Sequence, residues 1–199
     1  MGQPFEIVGQ PLSLWLAPVG TTFPLIGAAP SGSWALIGTS GTRNQDEGGV
    51  TTTHSQTIQK VRPGGTTGAV KAFRNEEDLS FKLTIWDLTL EQLKVALNAN
   101  TLTTTAAGVG TAGFKSIGLS RGVDVTEYAL LARGSSPYGD GMTAQYQVPR
   151  CFMSNSPAIV HRKGVPAGVE LMFDALEDLS AASADLRFGK LVFQHAVAL

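Results

Sequence analysis

Asp78-Leu79-Ser80-Phe81-Lys82-Leu83-Thr84-Ile85-Trp86-Asp87-Leu88-Thr89-Leu90-Glu91-Gln92-Leu93-Lys94-Val95-Ala96-Leu97 writes a strand followed by a helix. Leu79, Phe81, Leu83 and Ile85 alternate with Ser80, Lys82 and Thr84, the period-2 pattern of a strand buried on one face. The chain then turns at Asp87 and Leu88. Thr89 and Gln92 have the spacing of a capping box, in which each side chain satisfies the other residue's backbone amide. Leu90, Leu93 and Leu97 recur at helical spacing, and Asn98 to Asn100 supply a stop. This is the one good helix in the chain.

Outward from that stretch the sequence reads as strands and loops. Strands are expected at Leu14–Ala17, Trp34–Ile37, Val50–Val61, Ala69–Phe73, Phe114–Leu119, Glu127–Arg133, Met142–Phe152, Val169–Ala175 and Phe188–Phe193. Val50–Val61 is rich in Thr, whose branched Cβ favours the pleat while its hydroxyl tolerates water. Residues 101–113 are too small and polar for core. A parallel sheet needs a crossover helix for each strand pair, and one helix cannot supply them. The expected fold is mainly β: an antiparallel β-sandwich or barrel flanked by one α-helix, in a single domain over 1–199. An N-terminal strap over 1–33, held by Pro11, Pro18, Pro24 and Pro30, precedes it. Val169–Ala175 and its acidic turn echo the strand before the helix, as a faint duplication or as two strands of one sandwich.

The chain has 199 residues, 43% of them apolar and only 16% charged, with a net charge of −1. So little charge fits either a compact molecule or one that hides surface by assembling, and the neutral balance argues against a free-standing nucleic-acid binder. Cys151 is the one cysteine, which excludes an intrachain disulfide and fits a reducing compartment. The uncharged run from Ile7 to Thr42 is broken by prolines and glycines, so no membrane insertion is expected. The first basic residue is Arg43, which does not fit a secretory signal, and Glu6 does not fit a myristoylation site.

Catalytic chemistry finds no support. Gly108-Val109-Gly110-Thr111-Ala112-Gly113 spells a dinucleotide fingerprint, but no apolar strand precedes it and no helix follows. His54, His161 and His195 are scattered, without a second ligand at metal spacing. Ser40 is not in a nucleophile elbow. Asp174, Glu177 and Asp178 fit a strand end entering a turn. No enzyme activity, catalytic residue, metal or cofactor is expected.

Several pieces together resemble the major tail tube proteins of long flexible-tailed (siphovirus-type) bacteriophages. They are Trp34-Ala35-Leu36-Ile37-Gly38-Thr39, Gly49-Val50 entering a polar strand, Asp78–Ile85 into Asp87–Leu93, and Val169–Asp174 leading to Ala175-Leu176-Glu177-Asp178. Order and spacing carry the likeness over about two thirds of the chain, most weakly across 98–150. The resemblance implies a structural virion protein, assembled in the host cytoplasm, whose six copies form a ring. Rings would stack into the tail tube through which DNA passes, alongside tail tip, tape-measure and terminator proteins. The family has no catalytic residues to carry over.

Residues 38–68 combine glycine hinges with Arg43, Asp46, Glu47, Lys60 and Arg62, the candidate inter-subunit and inter-ring contacts, and form the candidate inter-ring arm. A conducting lumen is expected to be neutral to acidic, because lysines and arginines would grip phosphates. Two alternatives stay open. One is a tail connector or terminator ring. The other is a carbohydrate- or receptor-binding sandwich using Trp15, Trp34, Trp86 or Tyr138, although Trp34 and Trp86 sit in contexts that suggest burial.

Overall fold

Alternating apolar residues in successive strands need a shared face to bury, and the chain meets that need with one large antiparallel sheet. The structure, a computed structural model, describes residues 7–196. Ten strands are defined there: β1 (Ser13–Pro18), β2 (Ala35–Leu36), β3 (Thr51–Val61), β4 (Lys71–Ile85), β5 (Leu102–Thr105), β6 (Phe114–Ile117), β7 (Glu127–Ser135), β8 (Thr143–Met153), β9 (Val169–Ala175) and β10 (Lys190–Phe193). Helix α1 spans Leu90–Ala96. The main sheet runs β2-β1-β7-β8-β9-β4-β3, and β10 pairs with β8 beside β9. Every pairing is antiparallel, so the mainly β fold with one helix stands as expected.

The core is the inward set of these strands. Leu14 and Leu16 on β1, Leu130 and Ala132 on β7, Val148 and Cys151 on β8, Leu171 and Phe173 on β9, and Phe81, Leu83 and Ile85 on β4 form one buried cluster. Phe81 meets Tyr146 edge-on, with centroids 5.4 Å apart. Helix α1 adds Leu93, Val95 and Ala96 to this cluster.

A clasp joins the two ends of the sheet and closes it around the core. Gln45 bridges to Ile85, while its Nε2 donates to the Leu12 carbonyl at 3.2 Å. The Trp86 amide donates to the Asn44 carbonyl at 2.7 Å, and the Ile37 amide to the Leu14 carbonyl at 2.8 Å. Residues 37–46 therefore tie β1 to β4, which lie far apart in the strand order.

Local chemistry differs from expectation in four places. Thr89 is the N-cap of α1, yet its side chain does not cap the helix. Gln92 instead accepts the Gly38 amide at 2.8 Å, and Asp87 accepts the Thr89 amide at 3.1 Å. The two expected strands at 69–73 and 79–85 are one strand of 15 residues, β4. Residues 101–113 lie outside the core, but Leu102–Thr105 forms a hairpin with β6. Trp86 is 37% exposed, whereas Trp34 is buried as expected.

The dinucleotide-like glycines are the turn of the β5–β6 hairpin. Gly108 bridges to Thr111, and a Cβ on Gly113 would lie 2.9 Å from the Ala107 nitrogen. Tight backbone approach explains these residues.

The segment between β1 and β2 lies across the sheet as a covering loop. Arg133 Nη2 donates to the Ile26 carbonyl at 2.6 Å, Gln145 Nε2 to Pro24 at 3.0 Å, and Trp34 Nε1 to Thr22 at 3.1 Å. Trp34 then packs with Phe23, Ala17, Ala129 and Leu131 as a second small core.

Candidate functional site

The β3–β4 hairpin is the feature that the core does not explain. Its register runs from Thr51↔Lys82 to Val61↔Lys71, but β9 pairs β4 only from Ser80 to Ile85. Among the described residues, 71–79 therefore have no strand on their second side, and β3 has none on its outer side. Every residue from Thr53 to Glu76 is exposed. An isolated two-stranded ribbon is marginal in water, so an extension of this length calls for a partner or a strong set of cross-strand pairs.

The cross-strand pairs are polar. On the face continuous with the core, Glu77 accepts from Arg74 Nη1 at 3.1 Å and contacts His54 Nε2 at 2.7 Å. Arg74 Nε donates to Gln56 at 2.9 Å. On the opposite face, Thr57 donates to Glu76 at 3.1 Å, and Lys71 lies 4.8 Å from the Phe73 ring centroid. Asn75 is the extra residue of a bulge: Thr57 pairs Glu76, but Ile58 pairs Arg74. Such pairs add tenths of a kcal/mol each and hold register.

The outward face of the sheet continues from the hairpin onto the body. Register places Thr53, Ser80, Asp174, Phe152 and Glu127 in one row across β3, β4, β9, β8 and β7. Neighbouring positions add Glu76, Asp78, Lys82 and Glu170. On the body part of this face Lys82 is tied to Glu170 at 2.8 Å and Arg150 to Glu127 through a two-pronged contact at 2.8–3.0 Å. Arg133 is held by backbone carbonyls of the covering loop, and Lys190, opposite Gln147, makes no salt bridge among the described residues. Glu76, Asp78 and Asp174 make no salt bridge among the described residues. Over β3, β4 and β9 the face is polar and acidic, with Glu76, Asp78, Glu170 and Asp174 against Lys71 and Lys82.

The five candidate contact residues do not form one cluster. Arg43 lies exposed on a 3-10 turn (Gly41–Asn44), and Asp46 and Glu47 follow it at the root of the hairpin. The Asp46 amide donates to the Thr84 carbonyl at 2.9 Å. Lys60 pairs with Ala72, and Arg62 starts the tip. Between the levels of Thr84 and Ala72, a strand rises about 40 Å. The root is acidic and the tip is basic.

The 38–68 segment is accordingly two devices. Residues 38–49 are the clasp, docked on the body with Gly41 and Gln45 buried. Asp87 is its hub: one carboxylate oxygen accepts from the Thr39 amide at 2.9 Å, the Thr39 hydroxyl and Asn44 Nδ2 at 3.1 Å. Partial burial pushes the Asp87 carboxyl up, but the hydrogen bonds from Thr39 and Thr89 outweigh it and hold the group at about 2. The projecting arm is 51–79. Its second strand lies beyond the segment expected from sequence, because the polar run Arg74-Asn75-Glu76-Glu77-Asp78 separates Phe73 from Leu79, and the Asn75 bulge turns these two to opposite faces.

Other candidates resolve simply. Cys151 is fully buried; desolvation, then the charges of Asp174 and Glu127, push its thiol up and away from the reactive thiolate. His54 is an arm residue against Glu77. Among the described residues, no group of three His, Cys, Asp or Glu side chains is placed to hold a metal, and no helix is long and apolar enough to cross a membrane. Tyr138 packs edge-on with Phe193, while Trp86 borders the cleft at the root of the arm.

No protein-family model matches the chain, and no curated protein matches it. Among solved structures, a chain from the tail of an empty GTA particle, computed with helical refinement under C6 symmetry, is similar at a TM-score of 0.43. The two are 11% identical over 94% of this chain and 98% of that one.

Proposed function

We propose that this protein is a structural subunit of a phage-type tail, which self-associates into rings that stack as a hollow tube. The observation that carries the reading is the arm: two paired strands, exposed on both faces and, among the described residues, unpaired on both outer edges, projecting from a body with its own core. In a monomer those edges are an aggregation hazard; in a repeating assembly they are joints. The sixfold ring and the DNA-conducting role rest on the resemblance of the sequence to tail tube proteins. The acidic outward face of β3, β4 and β9 supplies a wall suited to the channel, since it repels phosphates and leaves DNA free to slide.

Sedimentation of the purified protein, followed by negative-stain microscopy of the fast fraction, tests this reading. Stacked annular particles are the expected result. A protein that stays monomeric, alone and when nucleated by tail tips, contradicts it. A single non-stacking ring would favour a connector or terminator.

A further inference from the structure

We infer that the acidic cleft at the root of the arm is the socket for the basic tip of another copy's arm. The inference rests on the self-assembly reading and names the two surfaces that meet. The cleft, of about 630 Å³, includes Pro11, Gln45, Asp46, Glu47, Val50 and Trp86 in its lining, and among the described residues no lysine or arginine lines it, Arg43 lying on the other side of Trp86. Gln45 is 5% exposed, and its Oε1 accepts no hydrogen bond among the described residues. Asp46 and Glu47 are exposed and have no ion-pair partner among those residues. The cleft therefore offers two exposed carboxylates and the part-exposed indole of Trp86.

The tip offers the complement. Residues 57–75 contain Lys60, Arg62, Lys71 and Arg74 and no acidic residue. Arg74 is held by Glu77 and Gln56, and Lys71 lies over Phe73, but Lys60 and Arg62 have no such partner among the described residues. A guanidinium takes carboxylates through a planar fork and stacks on indole, which fits Arg62 to Asp46, Glu47 and Trp86 together. Val61 and Val70 are exposed beside it and can cover Pro11 and Val50.

Distance makes the contact intermolecular. Tip and socket lie about 40 Å apart along one arm, so no chain can fill its own cleft with its own tip. Because the cleft flanks Val50, an incoming tip lands where the next arm begins. That contact is head-to-tail and open-ended, with an axial step of about one arm length. It joins rings along a tube. The charges would steer the approach and fix register, and salt would weaken them.

Carbodiimide coupling of the assembled wild-type protein, read by mass spectrometry, tests the socket without any substitution. The reagent condenses an amine with a carboxylate by loss of water, so the expected product is an amide between Lys60 and Asp46 or Glu47. A second test uses a chain carrying both Arg62→Cys and Glu47→Cys, whose oxidation should give a ladder of covalent multimers that reductant collapses. Cys151 is buried and does not compete. Charge reversal at Lys60 and Arg62, or at Asp46 and Glu47, should lower assembly at least tenfold, and combining both reversals should restore it. Wild-type assemblies that lack these cross-links, or that couple the tip to another surface, overturn the socket and leave the tube reading standing. A wild-type protein that never assembles removes both.

Discussion

Asp87 shows how one carboxylate can hold a loop that closes a whole sheet. Its hydrogen bonds favour the ionised form, so its folded value falls from 3.8 to about 2. A lowered carboxylate contributes stability above its unfolded value, and the contribution disappears as pH drops through the folded value. Thermal melts of Asp87→Asn and wild type should therefore differ at neutral pH and converge between about pH 4 and pH 2. Because the group is mostly exposed, the neutral-pH difference should be only about 1 kcal/mol.

Backbone geometry provides a contrasting pair at the same scale. Gly189 has φ +100°, and a Cβ there would sit 1.9 Å from the Gln147 carbonyl oxygen. Gly189→Ala should cost at least about 2 kcal/mol, measured by denaturant unfolding. Ala99 also has positive φ, at 60°. Ala99→Gly should be neutral or stabilising by up to about 1 kcal/mol, as a left-handed position prefers glycine. A stabilised Gly189→Ala variant would contradict the first prediction, and a clearly destabilised Ala99→Gly variant the second.

At the scale of elements, the arm and the body should be separable. The arm beyond Asp78 adds nothing to the buried cluster, whereas Phe81 and Leu83 on the same strand are central to it. Replacing residues 58–74 by a two-residue turn should leave the melting temperature within a few degrees of wild type. The same variant should sediment as a monomer at every concentration. Removing residues 41–47 should behave differently, because it takes out the Gln45 and Asn44 bonds that close the sheet.

The strand-helix stretch was legible because its period is clean and its apolar residues all reach the core. The continuity of β4 was not: the bulge at Asn75 turns Phe73 away from the face of Leu79, and the polar run 74–78 looks like a turn in sequence. The capping box failed for a tertiary reason, since the Gln92 side chain is taken by the Gly38 amide 54 positions away. Glycine spacing at 108–113 fitted a cofactor motif because both a phosphate cradle and a tight hairpin require close backbone approach. The acidic root and basic tip were visible as residues, but their separation along the arm needed the strand register.

For the whole molecule, the two faces of the main sheet differ in what they would present to the proposed channel. One face buries Phe81, Leu83, Leu171 and Phe173; the other carries Glu76, Asp78, Glu170 and Asp174, with Lys82 tied to Glu170. The proposed wall is the second. Cryo-electron microscopy of the assembled protein tests this most directly. The account predicts a hollow particle with Thr53, Lys82, Glu170 and Asp174 at its inner surface and each arm reaching the neighbouring ring. A compact monomer, or a particle that turns this face outward and lines its bore with unpaired lysines and arginines, would contradict it.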